Sequence, residues 1–332
     1  MDYENFGLQT MGALGKPGGE PDLRWINVSI ALAFILFDMG VSTVFRLGLG
    51  TSLFIAAVRC IGQLAVVATL LQQVFETRNP WIVFLIALLL NTLGTIETVI
   101  NKSKRRFQYM FPAVLIAMLG STIPVSILGA KFAMEVKPFW TPIQYIPLVG
   151  MLCGSTISGV VIAVSYVLKE LVENRDKVEI YLSFGATRME ACRPIAIEAL
   201  RLALTPPINN MSVLGIIAIP GMMTGAILGG SSVQQAAKLQ MIIIFMITAS
   251  TTLASIFTTF SAVFVAVDAE HRVRGDRIYT QNNNIAKRVA FGLDVKGFWA
   301  RLKRGFEWLR ERTGTIRLSG DGTDSERARL LG

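Results

Sequence analysis

Residues 143–168 read IQYIPLVGMLCGSTISGVVIAVSYVL, and ten residues later the chain continues EIYLSFGATRMEACRP from Glu179 to Pro194. The first stretch is long enough to cross a bilayer, which takes about 20 apolar residues in a helix. The second stretch is polar and charged. A polar segment between apolar ones predicts a membrane protein with a structured loop outside the bilayer.

The rest of the chain repeats the apolar pattern. Apolar residues make up 52% of the 332 residues, above the share in ordinary soluble domains. Lipid offers the backbone no hydrogen-bond partner, so each long apolar block is expected to be helical. The sequence predicts an all-α, polytopic membrane protein with about seven transmembrane helices. The seven blocks are 25–45, 51–75, 80–100, 111–130, 143–168, 205–229 and 236–267.

Lys and Arg residues divide the connections into two groups. The third and fifth connections and the C-terminal region are rich in them, whereas the second, fourth and sixth hold only Arg78, Lys131, Lys137 and Lys238. Basic connections stay on the cytosolic side of a membrane. This predicts an extracytosolic N-terminus, a cytosolic C-terminus and a cytosolic segment at 170–204.

The two ends of the chain differ from the predicted membrane-spanning region at 25–270. Residues 1–24 are expected to form a flexible extracytosolic tail. Residues 271–312 are basic, and from 285 their apolar residues recur every three or four positions, which is typical of an amphipathic helix in the lipid headgroup region. Anionic lipid is the expected partner rather than nucleic acid, and a calmodulin-type protein is the alternative. Residues 313–332 are expected to be disordered.

The sequence has none of the common catalytic motifs. It contains no Gly-x-x-x-x-Gly-Lys-Ser/Thr phosphate loop, His-Glu-x-x-His or Cys-x-x-Cys. Cys60, Cys153 and Cys192 are far apart, and His271 is the single histidine, so no disulfide or zinc pattern emerges. The chain is not expected to be an enzyme or to hold a cofactor. Any ATP and Mg²⁺ would be bound by a separate subunit.

The cytosolic segment at 170–204 is predicted to be a helix, a turn and a second helix. Gly185 is the expected break, and Thr187 is the expected N-cap of the next helix with Glu190 three residues on. One interpretation is a solvated connection between two spans. The alternative is a docking helix, because the segment is amphipathic rather than rich in glycine and serine.

This segment resembles the "EAA" loop of ABC transporter permeases, Glu-Ala-Ala-x-x-x-Gly followed by Leu-Pro. Glu179 and Gly185 match, Pro206 follows downstream, and Ile180 and Tyr181 replace the two alanines. Over residues 30–268 the chain resembles the FetB-type family of permeases, which includes plant aluminium-tolerance proteins. The matching segments are Asn101–Arg106, Leu182–Thr187, Arg193–Pro194, Glu198–Arg201 and Pro220-Gly-Met-Met-Thr-Gly225.

The resemblance implies a homodimer that binds two cytosolic ATPase subunits and exports a metal, with iron or aluminium as the cargo. A stand-alone ion-coupled carrier or channel is one alternative function, and a membrane scaffold that recruits cytosolic proteins is another. The implied coupling residues are Glu179, Gly185, Ala186, Thr187, Arg188, Glu190 and Arg193.

The sixth apolar block contains unusual residues for a membrane span. Proline inside a helix removes a backbone hydrogen bond, and glycines four apart let another helix approach closely. The block could therefore be a tightly packed helix or a broken helix that lines a pathway, with Gly150, Gly154 and Gly159 of the preceding span as its facing surface. The residues concerned are Asn209, Asn210, Pro220, Gly221, Gly225 and Gly229.

Five residues are weak candidates for binding a metal or for pairing inside the membrane. Asp38, Arg59 and Glu97 are ionisable residues within predicted spans, where charges usually pair or line a cavity. Carboxylates suit hard cations, whereas the thioethers of Met222 and Met223 suit soft ones. A structural ion-pair network is the alternative for the three charges, and packing is the alternative for the methionines.

Overall fold

The computed structural model describes residues 25–77, 79–103, 105–268 and 272–280. It divides into two compact units, one formed by the chain up to residue 78 with 225–231, and the other by the remainder. The predicted tails at 1–24 and 313–332 and the predicted amphipathic helix at 285–312 lie outside the described residues.

The first unit contains two long helices, α1 (Trp25–Val44) and α2 (Gly50–Thr77), that pack against each other. The turn between them is held by Ser42, whose carbonyl accepts the Leu47 amide (2.9 Å) and whose hydroxyl accepts the Leu49 amide (3.2 Å). Large apolar side chains such as Phe34 and Phe37 are exposed on α1. A helix that is apolar on all sides is suited to a lipid environment.

The second unit contains the other long helices and two short strands. An N-cap at each of two helices fixes where the helix begins: the Asn79 side chain accepts the Trp81 amide (3.0 Å), and Ser232 accepts the Gln235 amide (3.3 Å). The elements are α3 (Pro80–Ile96, continued by a π-helical turn Glu97–Lys102), β1 (Arg105–Phe107), α4 (Met110–Leu128, continued by a π-helical turn Gly129–Ala133), α5 (Pro142–Glu173), α6 (Arg175–Ser183), α7 (Arg188–Val213), α9 (Val233–Ala266) and β2 (Ile278–Thr280), with α8 (Gly221–Leu228) lying across the division between the units.

Helix α9 is the central element of the second unit and packs against α4, α5 and α7. Small residues make this close packing possible. A Cβ added at Gly159 of α5 would lie 2.4 Å from Cγ2 of Thr251 and 3.1 Å from Oγ of Ser255. Gly159 therefore faces α9, and its Cβ position is also 3.8 Å from the Ala203 carbonyl oxygen of α7. Gly154 and Gly159 line one cavity together with Pro206, Pro207 and Asn210 of the sixth apolar block.

Six helical segments of the described residues are long and apolar enough to span a membrane, which confirms an all-α polytopic membrane protein. The predicted span at 205–229 is not among them. Helix α7 continues through Pro206 and Pro207 and ends at Val213, and the backbone at 214–220 is not helical. Gly215 adopts φ +88° there, and Pro220 cannot donate a backbone hydrogen bond. The six segments are Trp25–Val44, Gly50–Ala68, Pro80–Lys102, Met110–Ala133, Pro142–Glu173 and Val233–Ala266.

Two contacts show how α7 runs relative to α9 in the second unit. Arg188, at the start of α7, donates to the carbonyl of Val267 just beyond the end of α9 (3.3 Å). Near the other end of α7, Met211 Sδ accepts from the hydroxyl of Thr248 (3.7 Å). Helices α7 and α9 are therefore antiparallel.

Three of the basic regions meet at one end of the second unit. Arg105 in the third connection donates to the Leu168 carbonyl (3.3 Å) and lies 3.5 Å from Glu173 at the end of α5. Strand β1 pairs antiparallel with β2, which follows α9. The predicted membrane orientation puts these basic regions on the same side of the membrane, so it requires them to lie at the same end of the unit. The side of the membrane on which each terminus lies stays a prediction.

Candidate functional site

The turn between α6 and α7 is fixed by backbone hydrogen bonds. The Ala186 amide donates to the Tyr181 carbonyl and the Gly185 amide to the Leu182 carbonyl, each at 3.1 Å. This pair of bonds is the Schellman motif that ends many helices, and it needs a left-handed residue after the helix. Gly185 supplies it with φ +88°. The predicted break at Gly185 is confirmed.

The next helix begins immediately with a capping box, as its sequence predicted. The Thr187 hydroxyl accepts the Glu190 amide (3.4 Å), and the Glu190 carboxylate accepts the Thr187 amide (2.8 Å). The two bonds satisfy amides that a helix start otherwise leaves unpaired. Thr187 directly follows Ala186, the last residue of the Schellman motif, so the turn has a defined shape.

Helix α6 has two apolar faces with different surroundings. Val178 and Leu182 are buried within the second unit. Ile180, Tyr181 and Phe184 are instead exposed, and Phe184 is 86% exposed. We call these three residues the α6 tip. Large apolar side chains exposed together on a charged segment are typical of a surface that binds another protein.

Two ion pairs of the segment form within single helices. Arg175 Nε lies 2.8 Å from the Glu179 carboxylate, one turn along α6. Arg201 and Glu198 pair at 2.9 Å on α7. Such exposed pairs stabilise a helix by less than about 1 kcal/mol. Glu179 therefore supports α6, while Arg193 is exposed on α7.

Arg188 links the start of α7 to the end of α9. Besides its bond to the Val267 carbonyl, its guanidinium lies 6.0 Å from the ring centroid of Phe264. Burial lowers the pKa of Arg188, and the nearby Asp268 carboxylate acts in the opposite direction. Asp268 also pairs with Arg277 at 3.0 Å. The predicted coupling residue thus joins the turn to the residues that follow α9.

A cavity of about 300 Å³ lies between α5, α7 and α9. Its lining combines apolar residues, such as Ile162 of α5 and Ile244 of α9, with a few polar ones, among them Asn210, one of the predicted pathway residues. Gly154 and Ser158 at its edge are exposed, so the cavity opens at the surface of this unit. Its polar and proline lining is Ser155, Ser158, Pro206, Pro207, Asn210 and Thr248.

The remaining residues predicted in the sixth block do not join this cavity's lining. Asn209 is exposed, Pro220 is half-buried and directly precedes α8, and Met222 and Met223 are half-buried in α8. A Cβ at Gly221 or Gly225 would meet no heavy atom of the described residues within 4 Å. At Gly229 the nearest atoms are the carbonyl oxygens of Gly225 and Ala226. The glycine face is thus open within the described residues.

The three intramembrane charges lie in different settings. Asp38 and Arg59 are exposed on α1 and α2 of the first unit. Glu97 is half-buried at the π-helical turn after α3 and accepts from the Asn101 side chain at 2.6 Å. Within the described residues no three His, Cys, Asp or Glu side chains come together as a metal-binding group. Metal binding by these residues stays a prediction.

Sequence reasoning missed two parts of the site. Phe184 was read only as part of the Leu182–Thr187 match, although an exposed phenylalanine directly before a predicted glycine break was a usable signal. Ser155, Ser158 and Thr248 were missed because single hydroxyl residues are common in membrane helices, where they bond to their own backbone.

Comparison with known proteins places the chain among membrane proteins. The profile of a family described as "Uncharacterised protein family (UPF0014)" matches residues 25–265. A UPF0014 membrane protein of Synechocystis is 30% identical over 239 residues, covering 72% of this chain and 92% of that protein. No solved structure matches the chain significantly.

Two further relatives have names that state a function or a phenotype. The Escherichia coli protein named "Probable iron export permease protein FetB" is 24% identical over 249 residues, covering 74% of this chain and 94% of that protein. The Arabidopsis thaliana protein named "ALUMINUM SENSITIVE 3" is 28% identical over 248 residues, covering 72% of this chain and 89% of that protein.

Proposed function

Because the chain belongs to the UPF0014 family of integral membrane proteins, we propose that it is the membrane-spanning subunit of an ABC transporter that exports a metal ion. Two copies form the transport unit, and each binds a cytosolic ATPase subunit that holds ATP and Mg²⁺. Iron or an aluminium-related metal is the proposed cargo. The names of the bacterial and plant relatives support this choice.

The α6 tip carries the proposal. Its three apolar side chains are exposed on a charged segment outside the apolar spans, where contact with water is unfavourable. A short amphipathic helix whose apolar face enters a groove is a common mode of protein recognition. The α6 tip is therefore the surface that docks into the ATPase subunit.

The geometry around the α6 tip suits it to transmit motion. The Schellman motif at Gly185 and the capping box at Thr187 give the turn a defined shape, so little ordering is needed on binding. The helices on either side of α6 are α5 and α7, and both line the cavity in the second unit. Movement of a docked ATPase would displace these two helices together.

Isolation of the native complex tests the proposal. The full-length chain, purified from its own membrane in mild detergent, should bring with it an ATPase that has no spans of its own. The reconstituted complex should move Fe²⁺ across a liposome membrane only when ATP and Mg²⁺ are supplied. Metal transport by the chain alone, without nucleotide, would instead indicate an ion-coupled carrier or channel. A chain that recruits cytosolic proteins and moves no metal would be a scaffold.

A further inference from the structure

Helix α7 has two faces with opposite surroundings. Small residues such as Ala199 and Ala203 are buried on the side where α7 packs against α5 and α9. Another set of residues is exposed from Arg201 to the end of the helix. They recur every three or four positions, with one adjacent pair, which places them on one side of a helix. We call this set the α7 outer face, and its members are Arg201, Thr205, Ile208, Asn209 and Ser212.

The α7 outer face reaches the level of the bilayer interior. Helix α9 has 34 residues and is one of the segments long and apolar enough to span a membrane. Thr248, near the midpoint of α9, donates to Sδ of Met211 in α7 (3.7 Å). Asn209 is two residues before Met211, about 3 Å along the helix axis. Because the middle of a spanning helix lies near the bilayer midplane, Asn209 lies there too.

Asn209 is the polar residue of this face that lipid accommodates least well near the midplane. The hydroxyls of Thr205 and Ser212 each donate to the carbonyl one turn earlier in α7 (2.8 and 3.0 Å), so both are satisfied within the helix. The Asn209 side chain is exposed, and its carboxamide has two donor hydrogens and an acceptor oxygen. Transfer of an unpaired amide into hydrocarbon is costly. This carboxamide therefore requires a polar partner.

The backbone directly after α7 makes the same demand. Residues 214–220 are not helical, and their hydrogen bonds are local, such as that from the Gly215 amide to the Ala218 carbonyl (3.0 Å). Irregular backbone occurs at membrane depth only where protein or water covers it. The neighbouring Ile216 and Ile217 side chains are 89% and 79% exposed. Contact of such apolar surface with water is unfavourable, which favours cover by protein over a water-filled path.

We propose that the α7 outer face is the contact between two copies of the chain, and that the Asn209 carboxamides of the two copies bind each other at the bilayer midplane. A two-fold axis brings the same surface of both copies together. A carboxamide both donates and accepts, so two of them can satisfy each other across such an axis. Asparagine also bonds between helices in membranes. The inference rests on the proposed function for its two-copy assembly and names the surface that joins the copies.

Disulfide trapping tests whether these surfaces meet. Cys60 is exposed whereas Cys153 and Cys192 are buried, so the full-length chain would carry Cys60→Ser. Asn209→Cys and its matched control, Leu253→Cys, would be introduced singly and oxidised with copper phenanthroline in liposomes. Leu253 is exposed on α9, about one helical turn from the level of Asn209. We expect a reducible, disulfide-linked dimer from Asn209→Cys and only monomer from Leu253→Cys.

A second measurement isolates the hydrogen bond. Asn209→Leu removes the carboxamide from an exposed position, so it removes no packing within the chain. Ser212→Ala is its matched control, because that hydroxyl is satisfied within α7. Energy transfer between copies that carry donor or acceptor fluorescent tags at the C-terminus, measured at increasing protein-to-lipid ratio, gives the dimer dissociation constant. The constant should rise about tenfold in Asn209→Leu and stay unchanged in Ser212→Ala.

Three results would overturn the proposal: no cross-linked dimer from Asn209→Cys, equal cross-linking at the two positions, or a dissociation constant in Asn209→Leu equal to that of the wild type. If the Asn209→Cys thiol does not cross-link and a charged, water-soluble thiol reagent modifies it rapidly, an aqueous path runs along α7 instead. Neither assay contains the ATPase subunit, so their failure leaves docking at the α6 tip intact. Loss of ATPase binding would likewise leave the cross-link unchanged.

Discussion

Replacement of Phe184 by alanine should weaken ATPase binding without unfolding the chain. The side chain is 86% exposed, so its loss removes almost no packing within the chain, and surface changes of this kind usually alter stability by less than about 0.5 kcal/mol. Covering a phenylalanine buries about 200 Å², at about 25 cal/mol for each Å² of apolar surface. After allowing for the Cβ that alanine retains, docking should lose about 3 kcal/mol, or about two orders of magnitude in Kd.

The assay would titrate the purified ATPase subunit onto the full-length chain in nanodiscs and compare each variant with the wild type. Phe132→Ala is the matched control. Phe132 is 67% exposed and lies in the π-helical turn after α4, at the end of that helix remote from β1. The Phe132→Ala variant should leave the Kd for the ATPase subunit unchanged. A Kd for Phe184→Ala within about threefold of wild type, or an equal loss in both variants, would refute docking through the α6 tip.

Three other predictions concern the packing around the site. Thr187→Ala should destabilise the start of α7 by about 1 kcal/mol, seen as faster amide hydrogen exchange in its first turn only. Gly159→Val should lower the thermal unfolding midpoint, because its Cβ would lie 2.4 Å from Thr251, an overpacking that costs about 1–3 kcal/mol; Gly154→Ala, in open space, should not. Burial raises the pKa of Cys192 to about 12, so maleimide should label it about a thousandfold more slowly at pH 8 than a thiol with the usual pKa, with the rate rising as pH approaches 12.

The local chemistry of the turn between α6 and α7 could be predicted because neighbouring residues determine it. A glycine at the end of a charged helix allows the backbone hydrogen bonds that close the helix. A Thr-x-x-Glu pattern directly after it supplies side chains that bond to the first amides of the next helix. The structure has both features, at Gly185 and at Thr187–Glu190. The apolar blocks were equally predictable, since bilayer thickness sets their length.

The break at 214–220 was harder to predict because the prolines of this block have different effects on the helix. Pro206 and Pro207 looked like the start of a span, yet α7 continues through them with weakened backbone bonding. The helix ends where Gly215 adopts a positive φ. Nothing in residue spacing distinguishes these outcomes, since they depend on how α7 packs against α5 and α9.

The α6 tip and the cavity depend on surfaces that only the folded chain reveals. In the sequence, Ile180 and Tyr181 stand where the Glu-Ala-Ala pattern has two alanines. The structure shows that both side chains are exposed, so the replacement changes the shape of the surface. Where small residues would leave a flat surface, this chain presents two bulky side chains and Phe184. The groove that receives them should be correspondingly deep and apolar.

The contact of Arg188 with the carbonyl of Val267 has a mechanical consequence. A force applied at the turn between α6 and α7 reaches α7 through the peptide chain and reaches the end of α9 directly through the Arg188 side chain. Two elastic connections in parallel add their stiffness, so the turn yields less under load than a single covalent joint would. Removing the guanidinium would leave a softer joint, in which part of each displacement is absorbed as local bending before it reaches the bilayer.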